Sequence, residues 1–329
     1  MNNKRVLSGM RPTGKLHLGH LIGVLSNWAA LQEDYDCIFS VADWHALTTK
    51  YNQTEKLQEY TREMVIDWLS AGIDPEESII HIQSDVPEIA ELQLLFSMIT
   101  SVSRLERNPT YKEQIEELKM KDSVPLGLLA YPVLQAADIL IYKADAVPVG
   151  KDQLPHVEIT RDIARRFNHI YDAEIFPAPE PKLGEVPKLL GIDGRKMSKS
   201  YGNAIYLSDG KDEIADKINA MVTDPDRVRL DDPGHPEVCS VFKYYQIFAK
   251  EESEEVAEKC RQAELGCRDC KARMTDIIVD YMAEFHQRRE KFEKNPEIVD
   301  EILAKGAKKA RKIAGETLTE VRQIMNLEN

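Results

Sequence analysis

Along the first two hundred residues, apolar positions switch repeatedly between a strand-like and a helix-like period. Val6-Leu7-Ser8 reads as a buried strand, Met10 to Lys15 as a Pro/Gly turn, and Leu21, Ile22, Leu25, Trp28 and Ala29 recur at helical spacing. Cys37 to Ala42 predicts a second strand, followed by a helix carrying Leu57, Tyr60, Met64 and Trp68 that stops at Gly72. Ser78 to Gln83 and Ala144 to Val149 predict two more strands. After the last, Val157, Ile159, Ile163 and Phe167 mark a helix within Asp152 to Asn168. Strands alternating with helices predict an α/β fold with a doubly wound parallel sheet, whose ligands bind outside the carboxyl ends of the strands. His17 to His20, Asp43 to His45 and Gly150 to Gln153 fall at such ends. Past Ser200 strand signals fade and charged helical segments run on, which predicts an α/β domain over 1–200 and an all-helical domain over 201–329.

Composition narrows the partners. The 329 residues are 43% hydrophobic and 30% charged, enough for a sizeable core, and no stretch is apolar for the roughly 20 residues a membrane helix needs. Met1 to Arg5 leads directly into an apolar strand without a signal-peptide core, so a cytoplasmic location is expected. A net charge of −13 has the wrong sign for indiscriminate binding to DNA or RNA, so any RNA contact must come from local patches. Lys305, Lys308, Lys309, Arg311 and Lys312 form one such run; a solvated helix face is its other reading.

Two distant segments carry chemistry. His17 and His20, three apart at a helix start, point the same way beside free backbone N–H groups, a place that suits phosphate. No G-x-x-x-x-G-K-[ST] loop occurs. Lys196-Met197-Ser198-Lys199-Ser200 follows a glycine-rich turn, so its lysines can swing onto a leaving pyrophosphate. Each segment alone could be packing or surface.

Together they resemble the signature pair of class I aminoacyl-tRNA synthetases, and the chain is most similar to the tryptophanyl-tRNA synthetases of bacterial type. The matching runs are Ser8 to Leu21, Ser40 to Thr48, Tyr131 to Phe167 and Lys196 to Ser200. The resemblance implies a Rossmann-like catalytic domain, a helical anticodon-binding domain and a homodimer. It also implies Mg2+- and ATP-dependent formation of tryptophanyl adenylate, then transfer to the 3' end of tRNA(Trp). A substrate carboxylate is already ionised near neutrality, so this chemistry needs positioning and charge stabilisation but no protein nucleophile. By the same resemblance His17, His20, Lys196 and Lys199 are catalytic. Arg11, Pro12, Thr13, Gly19, His20, Gly150, Lys151, Asp152, Val186, Met197, Ser198 and Ser200 border ATP, together with the two lysines.

Tyr131, Gln135, Asp138 and Tyr142 form one polar stripe in an apolar helical segment. Such a stripe could be satisfied internally. In the family it lies at the tryptophan pocket, where Asp138 is implied to accept the indole N–H and Tyr131 and Gln153 to hold the ammonium. His45, Leu7, Val147, Val149 and Gln135 are implied to line it; many relatives carry Met at the Gln135 position.

Cys37 stands alone in a predicted strand and reads as a packed thiol. Cys239, Cys260, Cys267 and Cys270 form C-x20-C-x6-C-x2-C, which suits zinc, an iron–sulfur cluster or free thiols. The spacing resembles that of the family branch carrying a 4Fe–4S cluster beside the anticodon. Arg268, Lys271 and Arg273 would then supply RNA contacts.

Two other readings differ in class or substrate. A tyrosyl-tRNA synthetase of archaeal type shares the histidine turn but adds a tyrosine on the first strand as a second partner for the phenol, where this chain has Leu7, which cannot hydrogen-bond. A non-catalytic paralogue binding tRNA or an amino acid would be expected to lose the histidine turn or the lysine loop, and both are intact.

Overall fold

In the computed structural model, which describes residues 4–117, 123–184 and 189–327, the apolar run after Lys4 becomes the central strand of a five-stranded parallel sheet. The strands are β1 (Arg5–Met10), β2 (Asp36–Val41), β3 (Ile79–Ile82), β4 (Ala146–Val149) and β5 (Glu180–Leu183), in the order β3-β2-β1-β4-β5. Leu7 pairs with Ile38, Ile38 with Ile79, and Val6 with Ala146. The order reverses between β1 and β4, which opens the crevice where such sheets bind ligands. The expected α/β doubly wound fold is present. β5 escaped the sequence reading because its Glu-Pro-Lys-Leu is short and half polar, as an edge strand tolerates.

The first helical segment departs from the simple helix that the spacing predicts. Leu18–His20 is α-helical, Leu21–Leu25 a π-turn, and Ser26–Leu31 α-helical again. Ser26 Oγ donates to the Leu21 carbonyl at 2.7 Å within this widened turn. Trp28 on this segment stacks on Phe39 of β2 and meets Trp68 edge-on, closing one face of the sheet.

After Leu183 the described residues hold helices and turns but no strand. Helix Cys267–Lys294 packs by Met274, Ile278, Met282 and Phe285 into the same core cluster as Leu16 and Leu18. The last helix, Pro296–Ile324, turns back onto the sheet. A Cβ on its Gly306 would lie 1.8 Å from the Ile80 carbonyl oxygen, so only glycine permits this approach to β3. Its Ala310, Ala314 and Leu318 share a core cluster with Leu7 and Val147. The helical half is therefore anchored to the sheet at its end as well as at its start.

Candidate active site

The turn after β1 brings the two histidines together. His17 is extended (φ −126°, ψ 167°) and its backbone N–H donates to His20 Nδ1 at 3.1 Å. His20 therefore carries its proton on Nε2, ready to donate outward. The ring centroids are 3.8 Å apart. Burial first, then the charge of Lys199, pushes His17 down to about 4. Burial and then His17 hold His20 well below the usual imidazole range. Both rings are neutral at pH 7 and can hydrogen-bond without adding charge. His17 Nδ1 is buried with no partner among the described residues.

The lysine loop is fixed more firmly than its glycines suggest. Met197 is buried, and its N–H donates to the Leu189 carbonyl at 3.0 Å. Asn203, 1% exposed, accepts the Ser198 N–H on Oδ1 at 2.9 Å and donates from Nδ2 to Asp193 and to the Lys196 carbonyl. Ser198 and Ser200 share a 2.9 Å hydroxyl contact. Lys199 Nζ donates to the Gly14 carbonyl at 2.7 Å. Beyond the loop the chain zips onto the histidine turn: the Leu18 N–H donates to Ile205 O at 2.9 Å and the Leu207 N–H to Leu16 O at 3.0 Å. Lys196 is exposed at the mouth of this arrangement.

On the other side of the crevice, Gly150 leads from β4 into the 3-10 turn Lys151–Gln153. Gln153 donates to Asp152 at 2.9 Å and meets His156 Nδ1 at 3.0 Å. Arg11 follows β1, and its charge is felt at Lys199, Tyr131 and His156. Pro12 is buried, while Thr13 is exposed and Gly19 half-buried. Val186 lies outside the described residues.

Tyr131, Gln135 and Asp138 lie on helix Leu126–Ile141. Asp138, 7% exposed, is a hub: His45 Nε2 donates to Oδ2 at 2.8 Å, and Gln83 Nε2 donates to Oδ1 at 2.7 Å and to Oδ2 at 3.0 Å. Tyr131 meets His45 and His156 edge-on, at 4.6 and 5.0 Å between centroids. Leu7 and Val147 are buried in one core cluster with Ala136 and Ala137, and Val149 packs against it. Gln135 Oε1 is buried without a partner among the described residues. Tyr142, the last member of the stripe, caps the helix, and its hydroxyl pairs with His81 Nε2 at 3.2 Å. The sequence reading missed Gln83, His156 and Asn203. Gln83 directly follows an apolar strand, the one positional signal that could have flagged it.

The four cysteines line one small cavity together with Arg227 and Lys271. Cys239 immediately precedes helix Ser240–Phe248, Cys260 sits in the last turn of helix Lys250–Arg261, and Cys267 opens helix Cys267–Lys294 with Cys270 one turn on. Two helix N-termini thus face the sulfurs, and Arg227 Nη1 lies 3.8 Å from Cys260 Sγ and 3.9 Å from Cys267 Sγ. A Cβ on Gly234 would come within 2.5 Å of Cys260 Sγ. Among the described residues no three of these sulfurs fall within 4.8 Å of one another. Lys271 donates to the Asn219 and Met221 carbonyls and Arg273 pairs with Glu252, whereas Arg268 is exposed and has no such bond among the described residues. Cys37 is buried in β2 and its thiol is pushed up to about 12, as a packing thiol should be.

Residues 1–283 match the family model for class I tRNA synthetases specific for W and Y. The chain is 57% identical over 326 residues to the tryptophan–tRNA ligase of Thermotoga maritima, covering 98% of this chain and 99% of that protein. It is 44% identical to the tryptophan–tRNA ligase of Aquifex aeolicus, covering 98% and 100%. A crystal structure of tryptophanyl-tRNA synthetase from Campylobacter jejuni complexed with ADP and tryptophan superposes with a TM-score of 0.89 at 36% identity, covering 98% and 99%. With the histidine turn, the lysine loop and the Asp138 pocket gathered in one crevice, the chain belongs to the tryptophanyl-tRNA synthetase family of class I.

Proposed function

We propose that this protein activates L-tryptophan with ATP and transfers it to tRNA(Trp). The observation that carries the reading is Asp138, a buried carboxylate accepting on both oxygens from His45 and Gln83, on a helix whose Ala136 and Ala137 pack with Leu7 and Val147. The indole N–H is a lone donor on an apolar ring, and a buried acceptor selects it over rings without one. Leu7 offers nothing to a phenol, which argues against tyrosine.

The substrate carboxylate attacks the α-phosphorus while the protein holds both reactants. His17 and His20, neutral, donate to phosphate oxygens. Lys196 and Lys199 offset charge developing on the departing pyrophosphate, with Mg2+ arriving on the nucleotide as part of the substrate. Arg11, Pro12, Thr13, Gly19 and Met197 to Ser200 border the triphosphate, and Gly150, Lys151 and Asp152 the ribose. Tyr131 and Gln153 hold the ammonium group, and His45, Gln135, Val147 and Val149 shape the pocket.

The four cysteines suit a 4Fe–4S cluster. Two helix N-termini and Arg227 beside the sulfurs favour a group of net negative charge. The cluster would order the helices after residue 200 against the anticodon arm. Arg268 and the exposed Lys305, Lys308, Lys309 and Lys312 are available to phosphates, whereas Arg311 bonds the Asp85 carbonyl. A homodimer is supported by Leu94 and Met98, 55% and 68% exposed one turn apart on helix Glu88–Ile99. Among the described residues no helix is long and apolar enough to cross a membrane, in keeping with a cytoplasmic enzyme. Charging of tRNA(Trp) with labelled tryptophan in the presence of ATP and Mg2+ tests the whole reaction; tRNA left uncharged under those conditions refutes it.

A further inference from the structure

We infer that Gln83 is a positioning residue for amino-acid choice, presenting Asp138 purely as an acceptor; the inference rests on the tryptophan reading above and deepens it. Gln83 is fully buried at the carboxyl end of β3. Its Oε1 accepts the backbone N–H of Trp44 at 3.1 Å and of His45 at 3.4 Å. Because the amide oxygen is engaged there, the amide cannot flip, and Nε2 must face Asp138. That nitrogen reaches both carboxylate oxygens, at 2.7 and 3.0 Å, while His45 Nε2 holds Oδ2 from the other side. Gln83 thereby joins three elements at one point: the end of β3, the start of helix Asp43–Lys50 and helix Leu126–Ile141.

With donors on both oxygens, Asp138 has only acceptor capacity left to offer a ligand. A ring N–H satisfies it. A ring lacking a donor leaves buried acceptor capacity facing carbon, and this penalty is what discriminates. The other titratable groups facing Asp138 are His45, His81, Tyr131 and Tyr142. Burial holds His81 below, and both tyrosines above, their ordinary values, so none of those three changes charge around neutrality. Asp43, on the His45 helix, is turned to the Trp44 and Ser84 N–H groups instead.

The variant Gln83→Glu isolates the effect, because a carboxylate keeps the acceptor toward Trp44 and His45 and loses only the donor toward Asp138. Two carboxyl groups at this spacing share one proton, and the protonated one restores a donor; at higher pH both ionise and repel. Pyrophosphate exchange is measured with tryptophan and with β-(benzothiophen-3-yl)alanine, whose ring sulfur replaces the N–H. In Gln83→Glu the tryptophan KM is expected to rise about tenfold at pH about 8 and to recover toward wild type near pH about 6, with kcat and the ATP KM little changed. Its preference for tryptophan over the sulfur analogue falls by about the same factor at the higher pH. Gln83→Leu lacks the donor at every pH and is expected to show the raised KM without the pH dependence. If wild type depends on tryptophan and Gln83→Glu matches it in KM and preference at both pH values, this inference alone falls. Equal losses for both amino acids, independent of pH, mark a packing role and overturn it too. Absence of tryptophan-dependent exchange in wild type overturns the underlying reading as well.

Discussion

Lys199 donates from Nζ to the carbonyl of Gly14, 2.7 Å away, so the loop after β5 is latched to the turn after β1 across 185 residues of sequence. The latch uses a neutral backbone acceptor, which a triphosphate can displace at little cost. Replacing Lys196 and Lys199 with Ala is expected to lower exchange by about 10²- to 10³-fold or more while tryptophan binding survives. Exchange kinetics and calorimetric titration with tryptophan check the two halves of that expectation.

Burial, followed by the neighbouring Arg11, lowers Lys199 from 10.5 to about 8, although Asp67 opposes the shift. The free enzyme therefore loses this cation as the pH rises through about 8. Since kcat/KM for ATP reports ionisations of the free enzyme, it is expected to fall above that pH. In Lys199→Arg the fall should move beyond the measurable range. A wild-type profile flat to pH about 10 would contradict the assignment.

The histidines act on stability in the opposite region. His17 and His156 are each lowered from 6.5 to about 4, chiefly by burial. Unfolded chains bind these protons more readily than the native state does. Their contribution is therefore complete above pH 6.5 and is lost as the pH falls through about 4. The urea midpoint should drop over that interval, and drop less in a His156→Asn variant.

Arg289 joins the helical half to helix Leu57–Ser70 of the α/β half. It is 4% exposed and pairs with Asp67, with Glu63 at 2.5 Å and with Glu293 at 2.9 Å. Burial raises Asp67 to about 7 despite that cation. Arg289→Ala strands the carboxylates, and an equilibrium urea titration should register a loss of about 3–5 kcal/mol.

For the cysteine site, anaerobically prepared protein is expected to contain iron and sulfide in stoichiometric amounts. Cys267→Ser should lose both, and should charge tRNA(Trp) poorly while retaining tryptophan-dependent exchange. Zinc in place of iron, or a fall in exchange equal to the fall in charging, would reverse that assignment.

Local signals in the chain announced the sheet because buried parallel strands are apolar runs flanked by turns, and four of the five strands followed that rule. β5 did not, since an edge strand can carry Glu, Pro and Lys. The return of the last helix to β3 was hidden because Gly306 reads as a helix weakness until the Ile80 carbonyl is seen against it. Side chains that orient others, such as Gln83, His156 and Asn203, carried no local signal of that role. Gln83 and Asn203 are amides whose roles depend on which backbone groups surround them, and these come from elements separated in sequence. Tyr142 ends the stripe at the helix cap, where its hydroxyl meets His81, a partner that its spacing could not announce.

On this reading the crevice activates tryptophan. Pyrophosphate exchange measured with tryptophan, and separately with tyrosine, as the only amino acid addresses it most directly. Rapid exchange with tryptophan and about 10³-fold or more weaker exchange with tyrosine are expected. Exchange driven by tyrosine in preference, or by neither, would contradict it.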